Sequence, residues 1–81
     1  MTPFNLQITV NGVTRYNGEC TSLVMPLPDG LYGIQANHTP LFAAVSPGVI
    51  KYTTPDSEEF FETKGAFLRF ENNSAVILAR E

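Results

Sequence analysis

The 81 residues leave room for one domain, expected over residues 1–81, and a chain this short buries only about 60–65% of the surface its unfolded form exposes. With 43% apolar and 16% charged residues the composition is globular, which excludes a disordered or fibrous chain. The net charge is −3, and the five bases (Arg15, Lys51, Lys64, Arg69, Arg80) are scattered, so no basic face awaits phosphates and nucleic acid is not an expected partner.

Phe4, Leu6, Ile8 and Val10 alternate with Asn5, Gln7 and Thr9, the period of a strand with one buried face. Asn11-Gly12 accepts the positive φ angles of a type I′ turn, so Val13 to Tyr16 returns as the second arm of a hairpin. Asn17-Gly18 reads as a further break. From Cys20 a third strand places Leu23, Met25 and Leu27 in phase; Pro26 and Pro28 cannot donate to a ladder and put its end at a sheet edge or in a loop. Asp29-Gly30 begins that loop, and Gly30 to Gly33 reads as a tight turn.

Asn37-His38-Thr39-Pro40 is another break, followed by the short apolar run Leu41 to Val45 and a turn at Pro47-Gly48. Val49 to Thr54 is rich in β-branched residues and closes at Pro55-Asp56-Ser57. Glu59 to Thr63 and Ala66 to Phe70 are two more strands around Gly65, with Ala66, Leu68 and Phe70 sharing a side. After Asn72-Asn73, Ala75 to Ala79 is a continuous apolar run of the kind expected in a strand buried on both faces. No window of ten or more residues free of Gly and Pro carries a helical period. The fold class is therefore all-β, a small sandwich or barrel of eight to ten short, mostly antiparallel strands.

Chemistry-bearing residues are few. His38 is the only histidine and lacks a nucleophile or orienting acid at a recognisable spacing, so a small enzyme using His38 is the minor alternative to a binding module. Cys20 alone forms no intrachain disulfide, has no basic neighbour to activate it, and fits a reducing cytoplasm. Gly30-Leu31-Tyr32-Gly33 lacks the following helix and the lysine of a phosphate cradle. Glu58 and Glu62 share one face of a strand while Glu59 takes the other, a solvated rim and no metal site. Asn37-His38-Thr39 and Asn72-Asn73-Ser74 match the glycosylation sequon but read as turns. Met1 to Asn5 has no signal-peptide pattern and no stretch is long enough to span a bilayer, so membrane association is expected only through a partner. No cofactor is expected.

The stretch from Gly30 to Leu41 (Gly30, Gly33, Ile34, His38, Pro40, Leu41), followed by Pro47-Gly48-Val49-Ile50, resembles the G-x-x-G-I, H-x-P-L and P-G pattern of the ATP synthase epsilon subunit family. Tyr16-Asn17-Gly18-Glu19 is similar to the family's aromatic-x-G-E step, Met25-Pro26 falls where the family leaves its third strand, and Gly65 to Leu68 and Val76 to Ala79 are similar to its last two strands. The resemblance covers essentially the whole chain. It implies the family's N-terminal ten-stranded β-sandwich, a non-catalytic central-stalk subunit that couples the gamma subunit to the c-ring of a proton-translocating synthase. The cytoplasmic face of a bacterial plasma membrane is the implied location. It further implies an interface with gamma and the c-ring at Asp29, Gly30, Leu31, Tyr32, Gly33, Ile34, His38 and Pro40. Where the family commonly has Glu this chain has Leu31, so Asp29 is expected to supply the charged contact. The family's C-terminal helical hairpin has no counterpart in these 81 residues, and the inhibition and ATP binding carried there in some members are not expected of them. A free-standing β-sandwich that binds a peptide or carbohydrate is the other alternative, weakened by the absence of tryptophan.

Overall fold

A computed structural model describes residues 2–80, so Met1 and Glu81, the ends of the expected unit, lie outside the described residues. Nine strands follow one another: β1 (Phe4–Val10), β2 (Val13–Cys20), β3 (Ser22–Leu27), β4 (Gly30–Ile34), β5 (Leu41–Val45), β6 (Gly48–Thr53), β7 (Glu58–Thr63), β8 (Ala66–Glu71) and β9 (Ser74–Ala79). They form a five-stranded sheet of order β2-β1-β9-β8-β5 and a four-stranded sheet of order β4-β3-β6-β7. All pairs are antiparallel except β1 with β9, which run parallel in register from Asn5–Ser74 to Val10–Ala79. This is the expected all-β sandwich, with nine strands described.

The alternation of β1 is realised as read: Phe4, Leu6, Ile8 and Val10 all point inward. They meet Leu68, Phe70 and Ile77 from their own sheet and Leu23, Met25, Ile34 and Ile50 from the facing one, all at or below 2% exposure. Each large side chain so placed contributes about 1.5–3 kcal/mol of burial free energy. Phe4 and Phe70 meet edge to face at 5.5 Å between ring centres. Asn11 (φ 50°) and Gly12 (φ 84°) form the expected hairpin turn, and Asn72 and Asn73 (φ 52° and 57°) form a second of the same kind between β8 and β9.

Four local expectations are corrected. Asn17-Gly18 is no break, because both residues sit inside β2 opposite Gln7 and Leu6 of β1. Cys20 consequently ends β2 and does not begin the third strand, which starts at Ser22. Gly30 to Gly33 is no turn: it is most of β4, paired with β3 from Leu27–Gly30 to Leu23–Ile34, and the turn is shortened to Pro28-Asp29. Finally β9 buries only one face, since Ala75, Ile77 and Ala79 are inside while Leu78 is 56% exposed.

Pro26 lies within β3 but beyond its last pair with β6, Val24–Lys51, so its missing N–H breaks no ladder. Its carbonyl accepts the Ser46 N–H at 2.9 Å. Gly48 (φ 153°) has a positive φ that favours glycine at the Pro47-Gly48 corner, and a Cβ there would also lie 3.1 Å from Pro26 Cγ.

Candidate interaction surfaces

The register fixes which side chains face outward. On the five-stranded sheet, Ala44, Phe67 and Leu78 stand in one cross-strand row over β5, β8 and β9, and Phe42, Arg69 and Val76 in the next. Phe42 is 69% exposed and Phe67 68%, and with Leu78 they rim a shallow hollow of about 480 Å³. Continuing across the sheet, the rows become polar, with Thr9 beside Leu78 and Gln7 beside Val76 on β1. Two exposed phenylalanines and a leucine on adjacent strands form a contiguous apolar patch of the kind that marks a protein contact. Arg69, whose Nε lies 3.8 Å from Glu71 Oε1, is the one charge within its rows.

The resemblance-based residues fall into separate places. Asp29 and Gly30 are exposed at the tip of the β3–β4 hairpin, and Leu31 is 76% exposed on the outer face of the four-stranded sheet, where Gly33 also faces out. Ile34 is fully buried and faces the core, so its side chain is no part of any surface. His38 and Pro40 lie past the far end of β4, a strand whose five residues span about 13 Å from the Asp29 tip. Tyr32 and His38 are joined directly, the Tyr32 hydroxyl lying 2.9 Å from His38 Nε2, and Gly33, Ile34 and His38 border one shallow hollow.

That histidine is structurally committed. Its Nδ1 lies 2.7 Å from the Thr39 carbonyl, which can only accept, so Nδ1 carries the proton and Nε2 accepts from the Tyr32 hydroxyl. The ring also stands edge-on to Phe70 at 5.9 Å, tying the loop after β4 to β8. The loop is held further by Asn73, whose Oδ1 accepts the Asn37 N–H at 2.7 Å. Both imidazole nitrogens are thus engaged in holding the loop to β4.

Cys20 is fully buried, with its thiol donating to the Ser22 carbonyl at 3.2 Å, and burial pushes its pKa up, the opposite of what a nucleophile needs. Glu58 and Glu62 share the outer face of β7, as read, and among the described residues no group of His, Cys, Asp and Glu is arranged to hold a metal ion. Glu58 instead meets Lys51 at 3.4 Å. No helix of the described chain is long and apolar enough to cross a membrane.

Sequence reasoning missed the Phe42, Phe67 and Leu78 patch. The available signal was Phe67: in a strand whose Ala66, Leu68 and Phe70 face inward, an aromatic in the outward phase has no core to fill.

Residues 3–81 match the profile of the family described as ATP synthase, Delta/Epsilon chain, beta-sandwich domain. The chain is 34% identical over 79 residues to an ATP synthase epsilon chain of Chlorobium limicola, covering 96% of this chain and 90% of that one. It is 35% identical over 81 residues to the ATP synthase epsilon chain of Dichelobacter nodosus, of which it spans only 57%. Among solved structures, the fold is shared with chains of the mitochondrial ATP synthases of Euglena gracilis (TM-score 0.90, 13% identity, 98% of this chain and 51% of that one) and Tetrahymena thermophila (TM-score 0.81, 12% identity, 95% and 63%). The latter structure is described as central stalk and c-ring. With its sandwich, its G-x-x-G-I and H-x-P-L segment on β4 and the following loop, and this match over nearly its whole length, the chain belongs to the ATP synthase epsilon family as the family's β-sandwich domain.

Proposed function

We propose that this chain is a non-catalytic rotor subunit that couples the gamma subunit to the c-ring of a proton-translocating F-type ATP synthase, on the cytoplasmic face of a bacterial plasma membrane. The observation that carries the reading is the apolar patch of Phe42, Phe67 and Leu78 on a member of this family. A torque-bearing contact must hold while the rotor turns, and an apolar patch centred on aromatics supplies the desolvated core of such an interface. We assign this face to gamma, with Pro40 at its margin where the chain enters β5. The tip of the β3–β4 hairpin, Asp29 to Leu31, is assigned to the polar loops of the c-ring, Asp29 supplying the charge and Leu31 the apolar area. His38 and Tyr32 then act behind the surface, fixing the loop that leads to the gamma face.

Co-purification with the gamma subunit of the same synthase tests the proposal. The two proteins should elute together at micromolar concentration. Separate elution of two folded proteins would remove the assignment.

A further inference from the structure

The four strands at the sheet margins are defended unequally. β7 carries Glu58, Glu59 and Glu62; β2 carries Arg15 and Glu19 and lies opposite a register shift between Ile8 and Thr9; β5 is a five-residue strand flanked by Pro40 and Pro47. Charges, bulges and prolines are the usual ways of keeping an open edge from pairing with another chain. β4, the margin of the four-stranded sheet and also five residues long, has none of them between Gly30 and Ile34, and Pro28 and Asp29 flank it only at the hairpin tip.

The hydrogen-bonding phase of this edge follows from its neighbour. A strand residue points its N–H and C=O to the same side, and the Pro26 carbonyl points away from β4 to the Ser46 N–H. Pro26–Leu31 is therefore a non-hydrogen-bonded pair of the β3–β4 ladder, and so is Val24–Gly33 two residues on. The peptide groups of Leu31 and Gly33 consequently point outward from the sheet, while those of Tyr32 between them point back to Met25.

We propose that the free chain self-associates through β4, two copies pairing antiparallel about a two-fold axis at Tyr32 to join their four-stranded sheets into one. In that register Leu31 lies opposite Gly33 of the second copy, and the outward peptide groups of each pair exchange two hydrogen bonds. The side chains agree with the register. Leu31, 76% exposed, would cover the outer face of Gly33, where nothing lies within 4 Å of the missing Cβ, and symmetry repeats the fit. No charge meets a like charge, because β4 has none and Asp29 falls opposite Gln35. Self-pairing hides Leu31 and the hairpin tip, so it belongs to the unassembled chain and excludes the c-ring contact proposed above.

The test uses the chain alone, by sedimentation equilibrium and amide hydrogen exchange up to about 1 mM, since an interface this small is weak. The average mass should climb towards twice that of the monomer, and the Leu31 and Gly33 amides should gain protection with concentration while Tyr32, bonded within the hairpin, stays unchanged. Leu31→Pro removes an outward donor without touching the β3–β4 ladder and should remain monomeric. Gly33→Lys has space for its side chain in the monomer, so it keeps the test decisive should the proline variant unfold; it should also remain monomeric. A wild-type chain that stays monomeric to about 1 mM, variants that dimerise as it does, or protection of Leu31 and Gly33 only on adding gamma would each overturn the proposal.

Discussion

The two outer faces of the sandwich are built from the same kinds of strand and present different chemistry. Over β5, β8 and β9, Phe42, Ala44, Phe67, Val76 and Leu78 lie around Arg69, whose charge is met by Glu71 farther along β8. Over the four-stranded sheet, Phe60 is as exposed as Phe67, at 67% against 68%, yet its cross-strand neighbour is Lys51 and its face-mates along β7 are Glu58 and Glu62. The difference lies in the company each aromatic keeps. A lone exposed phenylalanine ringed by charges is an ordinary surface residue, whereas two on adjacent strands with aliphatic neighbours make a surface that water leaves readily.

Removing what holds both faces in place has the largest effect. Phe70 is fully buried on β8 between Phe4 and His38, and Phe70→Ala should cost about 3–5 kcal/mol. For a domain of this size that is much of the total stability, so chemical denaturation should show a greatly lowered midpoint or no folded baseline. The matched pair Phe67→Ser and Phe60→Ser sharpens the contrast. Both should change stability by less than about 0.5 kcal/mol, but Phe67→Ser should weaken gamma binding by about tenfold or more while Phe60→Ser leaves it unchanged, as titration calorimetry would read. Equal losses would make the faces equivalent and remove the assignment of gamma to one of them.

Smaller effects probe the two seams that join the sheets. His38→Ala leaves the Tyr32 hydroxyl without its partner and removes the edge contact to Phe70, and should cost about 1–2 kcal/mol in thermal or denaturant unfolding. The opposite seam is the Tyr16–Tyr52 pair, 5.1 Å between ring centres, with Cys20 nearby. Burial first, then Cys20, Glu19 and Asp56, raises the Tyr16 pKa; burial first, then Glu59, Tyr16 and Cys20, raises that of Tyr52; burial raises that of Cys20. A raised native pKa means the folded chain holds its proton more tightly, so this stability is complete below the ordinary values of 9.0 for the thiol and 10.0 for the phenols. It is lost as pH climbs through the raised ones. The melting temperature should therefore fall from about pH 9 upward, and a Tm that stays level through pH 11 would contradict the account.

Much of the fold was legible because alternation and turn chemistry agreed: β1, β8 and the Asn-Gly and Asn-Asn turns follow directly from their residues. Glycine misled twice. Gly18 and Gly33 have neither positive φ nor a turn, and a residue without a side chain leaves strand and turn indistinguishable in sequence. In β9 the failure is more informative. Ala75 to Ala79 reads as doubly buried because its outer face is apolar too, with Val76 and Leu78 facing the patch and not a second layer of this chain. An exposed face that is itself apolar erased the alternation that would have marked it as the outer one. Of the residues carried over by resemblance, sequence order alone could not show that Ile34 faces inward or that β4 separates Asp29 from His38.

The parallel pairing of β1 with β9 has a consequence in time. Residues 4–10 are made first, yet one of their two flanking strands, residues 74–79, follows only after seven other strands have been made. Until then the Phe4-to-Val10 strand has only its hairpin partner, and an isolated hairpin is marginal in water. All nine strands must therefore emerge before the central sheet closes, and such long-range pairing favours folding in milliseconds to seconds over microseconds. A nascent chain stalled before Ser74 would expose Leu6 and Ile8 to the chaperones of the cell, and the ribosome itself becomes the timer of the domain's assembly.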